Sequence, residues 1–183
     1  HIEIGGTAQD QQESFFYLGL AILVSIVLVY MVMASQFESL LDPFIILFTI
    51  PLALIGVVIA LFITGTNLSV TVFVGGMLLV GIVVNNGIVL IDYINQLIKK
   101  HKMEVKEAII IGAKTRLRPV LMTAITTILS MLPLAIELGS SSEIWSPMAR
   151  AIIGGLIAST FLTLFFVPIM FYILQRKRLK VTE

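Results

Sequence analysis

Long apolar runs are the feature that most constrains the fold of this chain. Five runs are separated by short polar breaks, and each is close to the roughly 20 apolar residues with which a helix crosses a bilayer. Runs of this length with few charges are typical of membrane-spanning helices. We therefore predict an all-α, polytopic transmembrane bundle. Its five spans are about Phe15–Ala34, Pro43–Thr64, Val70–Asn95, Pro119–Leu138 and Met148–Gln175.

The composition agrees with a membrane protein. The chain is 58% hydrophobic and 13% charged, with a mean hydropathy of +1.05, whereas soluble domains average roughly 45–50% apolar and about 25% charged. It contains no cysteine, so the sequence leaves the redox compartment undetermined. The chain has no initiator methionine and begins with the polar stretch His1–Ser14. We therefore expect a fragment, or the processed end, of a larger protein.

Two prolines bear on the second span. Pro43 follows the polar break 35–42 and suits the first turn of a helix, where its missing N–H costs nothing. Pro51 lies inside the span, where a proline removes a backbone hydrogen bond and clashes with the preceding turn. We predict a kink there.

The segment between the third and fourth spans, residues 96–118, differs in kind. It is rich in lysine and arginine, and it places apolar residues at helical spacing, at Val105, Ala108, Ile109 and Gly112. A basic helix with one apolar face is typical of a membrane surface. The pattern predicts one amphipathic helix over 96–118.

The basic residues also predict the topology. Eleven of the twelve Lys and Arg residues lie in 96–118 and in the tail 176–183, and only Arg150 lies elsewhere. The positive-inside rule puts both segments in the cytoplasm, and the two crossings between them agree with that placement. The segment 1–14 is then extracytoplasmic, spans one to three occupy 15–95, and spans four and five occupy 119–175.

Polar residues in the third span are the first candidates for function. The stretch Gly81–Tyr93 is apolar except for Asn85, Asn86 and Asp92, and such groups in a membrane usually face a bundle interior or an ion path. Asn85 and Asp92 are seven residues apart, about two turns, and therefore share a helix face. Two alternatives stay open: the amides are packing contacts between helices, and Asp92 only reaches the interface.

A polar line also follows the fourth span. Arg116, Thr123, Ser130 and Glu137 recur every seventh residue, with Thr126 and Thr127 on the same side. Such a line can face a polar stripe on a neighbouring helix. The alternative is that the hydroxyls bond to carbonyls of their own helix, that Arg116 only fixes topology, and that Glu137 is interfacial.

Small residues recur four apart in two spans, and this spacing lets helices pack closely. Gly56 and Ala60 form one such pair. The others are Ala151, Gly155 and Ser159, and Gly154 and Ala158.

The residues exclude several chemistries. The only histidines are His1 and His101, both outside the spans, so metal clusters and Ser–His catalysis within the membrane lack residues. Asp92 has no clear second carboxylate for an aspartyl protease, and no glycine-rich phosphate loop follows a strand. We therefore expect no enzyme, no metal site and no cofactor.

Four stretches in this order and spacing resemble the resistance–nodulation–cell division (RND) efflux pumps. They are Ala34–Phe44, Pro51–Ala53, Gly81–Tyr93 and Arg116–Thr123. The similarity covers essentially the whole chain. It corresponds to the C-terminal transmembrane half of these pumps, helices eight to twelve of twelve, and it is strongest for the hydrophobe/amphiphile exporter branch.

The resemblance implies a secondary active transporter, with protons as the coupling ion, in the bacterial cytoplasmic (inner) membrane. It implies a homotrimer in membrane lipid, a periplasmic adaptor protein and, in double-membraned bacteria, an outer-membrane channel, but no nucleic acid. Segment 1–14 would then end a preceding porter region. The implied function is multidrug or amphiphile efflux by drug/proton antiport. The alternatives are export of protein or lipid by a relative, and a helical scaffold that transports nothing.

The resemblance also implies roles for particular residues. Thr123 stands where the family has a relay threonine on the eleventh helix, and Arg116 matches a basic residue tied to the relay. Asn85 stands where the family has a lysine on the tenth helix, and Asn86 matches the asparagine after it. An amide can hydrogen-bond a carboxylate in either protonation state but supplies no counter-charge. With Asp92, these are the predicted proton-relay and coupling residues.

Overall fold

Helices make up all the regular structure in the part of the chain that the computed structural model describes. That part is residues 5–139 and 142–181, with side chains for 12–139 and 142–174. Residues 1–4 of the predicted extracytoplasmic segment and 182–183 of the basic tail lie outside it, as do the side chains of Arg176, Lys177, Arg178 and Lys180. The helices are α1 (Gly5–Phe37), α2 (Leu41–Leu47), α3 (Thr49–Thr64), α4 (Val70–His101), α5 (Val105–Ala135) and α6 (Ser142–Val181).

Five stretches of these helices are long and apolar enough to cross a membrane, so the predicted number and order of spans are confirmed. Most of them extend beyond the predicted limits, because the helices continue into the flanking polar residues. The stretches are Gln12–Phe37, Leu41–Thr64, Val70–His101, Val105–Ala135 and Ser142–Leu174.

The predicted separate amphipathic helix over 96–118 is wrong. Its first part continues α4 to His101, and its second part begins α5 at Val105. The chain turns between them at Lys102, whose φ of 51° is left-handed. Ile110 is exposed, but Ala108, Ile109 and Gly112 are buried and join the same stripe as Val120 and Ala124. They therefore pack inside the bundle rather than on a membrane surface, and α5 runs through Pro119 instead of beginning there.

The second span is interrupted at Phe48, three residues before Pro51, and the kink at Pro51 itself stays a prediction. Helix α2 ends at Leu47 and α3 begins at Thr49, so Pro51 lies in the first turn of α3. A proline there has no N–H to donate to the carbonyl four residues earlier. The Thr49 hydroxyl donates to the carbonyl of Ile46 at 2.6 Å, which satisfies part of the backbone beside the break.

Helix α6 packs against α2, α3, α4 and α5, and its contact with α3 is made by the predicted small residues. A Cβ at Gly154 would collide with Ala60, and a Cβ at Gly56 would collide with Ala158. A Cβ at Gly155 would likewise collide with the side chain of Leu79 in α4. The small-residue spacing therefore does act in packing, as predicted.

Helix α1 lies at the edge of the described bundle, where it contacts only α2 and α4. The most apolar 18-residue stretch of α1 has no buried residue. Its exposed Leu20, Val24 and Leu28 are compatible with lipid tails, which are themselves apolar.

We predict that Gly154→Ala destabilises the protein by about 1–3 kcal/mol, because the added methyl group forces α6 away from Ala60. Gly76→Ala in α4 is the matched control, since a Cβ there meets no atom within 4 Å. Thermal loss of the monodisperse size-exclusion peak, measured on the protein in detergent, compares the two. Equal midpoints would show that α3 and α6 do not pack this closely.

Candidate functional site

The polar residues of the third span lie on the less buried side of α4. Asn85 is exposed, whereas Asn86 and Asp92 are half-buried. The opposite side of the helix is buried against the bundle, with Val83, Val84, Gly87, Leu90, Ile91 and Ile94. Within residues 12–139 and 142–174, neither amide has a hydrogen-bond partner, and the Asp92 carboxylate accepts from Gln96 at 2.7 Å.

The hydroxyl line of α5 is partly bonded to its own helix. Thr123 donates to the carbonyl of Val120, Thr127 to Thr123 and Ser130 to Thr127, each at 2.9 Å. This is the alternative of back-bonding that the sequence left open. Thr126 is exposed and has no such bond in the described region. A hydroxyl that donates to its helix keeps two acceptor lone pairs. Thr123 can therefore still accept a hydrogen bond from another group.

Arg116 connects α5 to α4. Its guanidinium carbon lies 4.6 Å from the centre of the Tyr93 ring, a distance at which a cation is attracted to the face of an aromatic ring. Its Nε atom is buried and has no hydrogen-bond partner among the side chains and backbone that the structure describes. One turn earlier, a Cβ at Gly112 would lie 2.6 Å from Ile94. The missing side chain at Gly112 therefore allows the close approach that brings Arg116 over Tyr93.

The five predicted relay residues are thus spread over two adjacent helices. Arg116 lies beside Tyr93, the neighbour of Asp92 in sequence. No hydrogen bond or ion pair joins Asn85, Asn86, Asp92, Arg116 and Thr123 to one another in the part of the chain whose side chains are described. Asn85 and Thr123 remain exposed, so this polar face of α4 and α5 is open to a further partner.

The sequence did not reveal a buried contact between α2 and α4. Asp42 is only 8% exposed, and its carboxylate accepts a hydrogen bond from the Asn95 amide at 2.9 Å. The two residues are 53 apart in the chain, so no local pattern links them. The only signal was that each stands at the end of a predicted span.

A second missed group surrounds Arg150, the one basic residue outside the two basic segments. Arg150 donates to Glu137 at 2.7 Å, to the Thr66 hydroxyl at 3.0 Å and to the Ala135 carbonyl at 3.2 Å. Ala135 ends α5, and Glu137 has a left-handed φ of 65°. We call Arg150, Glu137 and Thr66 the Arg150 cluster. It ties α6 to the end of α5 and to the α3–α4 loop, so Glu137 is more than an interfacial residue.

Clusters of His, Cys, Asp or Glu side chains could hold a metal ion, and some membrane transporters carry metal cations. No three His, Cys, Asp or Glu side chains come together as such a group within the described residues.

The comparisons with known proteins agree on one family. The model of the AcrB/AcrD/AcrF family matches residues 1–175. The chain is 42% identical over 182 residues to the swarming motility protein SwrC of Bacillus subtilis, which covers 98% of the chain and 17% of SwrC. It is 36% identical over 173 residues to the cobalt-zinc-cadmium resistance protein CzcA of Cupriavidus metallidurans, covering 94% of the chain and 16% of CzcA.

Two further matches are a multidrug resistance protein and a heavy metal efflux pump. The multidrug resistance protein MdtC of Proteus mirabilis is 37% identical over 166 residues, covering 91% of the chain and 16% of MdtC. The crystal structure of a heavy metal efflux pump superposes with a TM-score of 0.83 at 34% identity, covering 92% of the chain and 17% of the pump. The chain therefore spans about a sixth of the length of the relatives that it matches.

We predict that Arg150→Met destabilises the protein more than Glu137→Gln, because Arg150 also holds Ala135 and Thr66. The side chains of Arg150 and Glu137 are 25% and 41% exposed, so we expect their coupling free energy to stay below about 1 kcal/mol. A double-mutant cycle of thermal midpoints measures that coupling. Equal midpoints for the two single variants would contradict the central place of Arg150 in the cluster.

Proposed function

This chain belongs to the AcrB/AcrD/AcrF family of RND efflux transporters, and we propose that it is the C-terminal membrane half of a proton-driven exporter of drugs and amphiphiles. Its five spans would be helices eight to twelve of twelve. The cargo-binding and docking regions would lie in other parts of the transporter. In this proposal the chain is a secondary active transporter that couples proton flow to helix movement, not an enzyme.

The observation that carries the proposal is the open polar face of α4 and α5. Asn85 and Thr123 are exposed although both helices are apolar enough to cross a membrane. Polar groups that face lipid are costly, so in membrane proteins they usually face other protein or a water-filled path. The buried side of α4 is already used for packing. We therefore infer that the polar face meets the other membrane half, where the family has its fourth-helix carboxylates.

The residues of that face suit a relay in which a carboxylate gains and loses a proton. Arg116 carries a positive charge and has an unpartnered Nε, so it would attract the ionised carboxylate. Asn85 can donate to the ionised form and accept from the protonated form. Thr123 would accept from the protonated form, because its own hydrogen is engaged by Val120. Protonation would thus weaken the attraction to Arg116 and favour hydrogen bonds with Asn85 and Thr123.

Asn86 and Asp92 would extend this route along α4. The Asp92 carboxylate is half-buried, and Gln96 donates a hydrogen bond that orients it. Asp92 would take up a proton from the route and release it near the end of the helix that bears Lys99 and Lys100. That end would be cytoplasmic, in keeping with the positive-inside rule. The N-terminus of the chain would lie outside the cytoplasm and the C-terminus inside it. A homotrimer, an adaptor protein and an outer-membrane channel complete the proposed assembly.

Metal-cation efflux is a second candidate. It is supported by the 36% identity to CzcA and by the superposition on a heavy metal efflux pump, whereas MdtC supports drug efflux. The complete transporter, expressed in cells that lack other pumps, separates the two. Drug efflux predicts lower accumulation of ethidium, and cation efflux predicts lower cellular cobalt, zinc or cadmium. No change in either would favour a scaffold or an exporter of protein or lipid.

We predict that Asn85→Ala and Thr123→Ala each lower the rate of efflux by the complete transporter at least about tenfold, as expected for loss of a positioned proton-transfer group. Membrane abundance should not change, because neither side chain packs within the helix bundle of this chain. Thr126→Ala is the matched control, since Thr126 is exposed on the same helix but does not stand at the relay position. Normal efflux in both test variants at normal abundance would reject the relay and favour helix packing.

We also predict that Asn85→Lys retains efflux, whereas Asn85→Leu abolishes it. A lysine can pair with a carboxylate across the interface, whereas leucine offers that carboxylate neither a charge nor a hydrogen bond. Ethidium efflux at matched membrane abundance measures both variants. If lysine is as damaging as leucine, Asn85 does not face carboxylates.

A further inference from the structure

A cleft lies where the α4–α5 turn meets the C-terminal half of α6. It consists of two cavities of about 670 and 410 Å³ that share Lys106 and Tyr172 as lining residues. The larger cavity is also lined by Lys102 and Glu104 of the turn. The smaller one extends along α5 and α6 and is lined by apolar side chains, among them Ile109, Ile110 and Ile169. We call the two together the Lys106 cleft.

The cleft is polar at one end and apolar at the other. Lys102 and Lys106 are exposed, and neither forms an ion pair in the described part of the chain. The Tyr172 side chain is half-buried, and its hydroxyl has no hydrogen-bond partner among the residues described. Away from these groups, Ile110 and Ile169 are exposed along the sides of two helices that are apolar enough to span a membrane. Free donors thus stand at the end of an apolar groove.

We propose that the Lys106 cleft binds one anionic phospholipid. The phosphate would lie between Lys102 and Lys106 and accept a hydrogen bond from Tyr172, and an acyl chain would follow the isoleucines of α5 and α6. Two lysines and one glutamate leave the lining with a charge of +1, which matches the single negative charge of phosphatidylglycerol. Basic pockets between membrane helices are suited to such headgroups.

The occupant is a lipid rather than a soluble anion because of the shape of the lining. A free phosphate needs only the polar end, whereas the second cavity offers an apolar surface parallel to the spans. A bound lipid would hold the α4–α5 turn against α6. This site lies apart from the polar face that carries the proposed function and does not depend on the cargo.

The test uses the complete transporter, delipidated and placed in phosphatidylcholine nanodiscs with increasing amounts of phosphatidylglycerol that carries a photoactivatable acyl chain. Mass spectrometry maps the labelled peptides. We expect labelling of residues 105–112 and 168–173. The Lys102→Gln/Lys106→Gln variant should need about 25-fold more lipid for half-maximal labelling, at about fivefold for each lysine near a membrane surface.

A matched variant removes the same charge from the last turn of α4. Lys99→Gln/Lys100→Gln changes two exposed lysines that do not line the cleft, and labelling should stay within twofold of the wild type. Tyr172→Phe keeps the aromatic lining and removes the hydroxyl, and half-maximal labelling should require severalfold more lipid.

Four results would overturn the proposal. Unchanged labelling of the Lys102/Lys106 variant would show that these lysines do not hold the headgroup. An equal loss in the Lys99/Lys100 variant would indicate general attraction to the membrane surface. Equal labelling by a phosphatidylcholine probe with the same chains would indicate an apolar groove without headgroup recognition. Loss of labelling on addition of inorganic phosphate would indicate a site for the free anion.

Discussion

The contact between α3 and α6 is the interaction on which the rest of this bundle depends. Within a membrane, apolar surface gains little by leaving lipid for protein, so close packing must supply the association. Gly56 and Gly154 supply it, because each leaves room for an alanine of the facing helix. Helix α6 then offers its remaining sides to α2, α4 and α5. One apolar side of α4 packs in this bundle, and Asn85 is left exposed on the other side.

The spans were predictable because hydropathy over about 20 residues reports directly on what a bilayer accepts. The helix ends were not. Residues 96–118 look amphipathic by themselves, but Ala108 and Ile109 are buried in the bundle and continue the stripe of α5. The break after His101 depends on one left-handed residue, Lys102, and lysine carries no strong preference for that conformation.

The exposed places of Asn85 and Thr123 follow the helical periodicity of their own segments, which is information that a sequence contains. The contacts of Arg116 with Tyr93 and of Asp42 with Asn95 depend on how separate helices are placed, and no spacing encodes that. The hydrogen bond from Thr123 to its own helix was not predictable either. A threonine in a membrane helix can bond to a carbonyl of its own helix or to a neighbouring helix. The roles of these residues in a relay remain predictions.

The break at Phe48 divides the second span into two parts with different main contacts. Helix α3 is locked to α6 by glycine contacts, whereas α2 rests on α4 through Gly87 and Ile46 and through the hydrogen bond from Asn95 to Asp42. A single residue joins the two parts. If α4 moved against α6, the span could bend at Phe48 and keep the close contacts of Gly56 and Gly87, while the contacts of α2 with α6 and of α3 with α4 would change. A proline that looks like a flaw in the second span would thus serve as a mechanical joint.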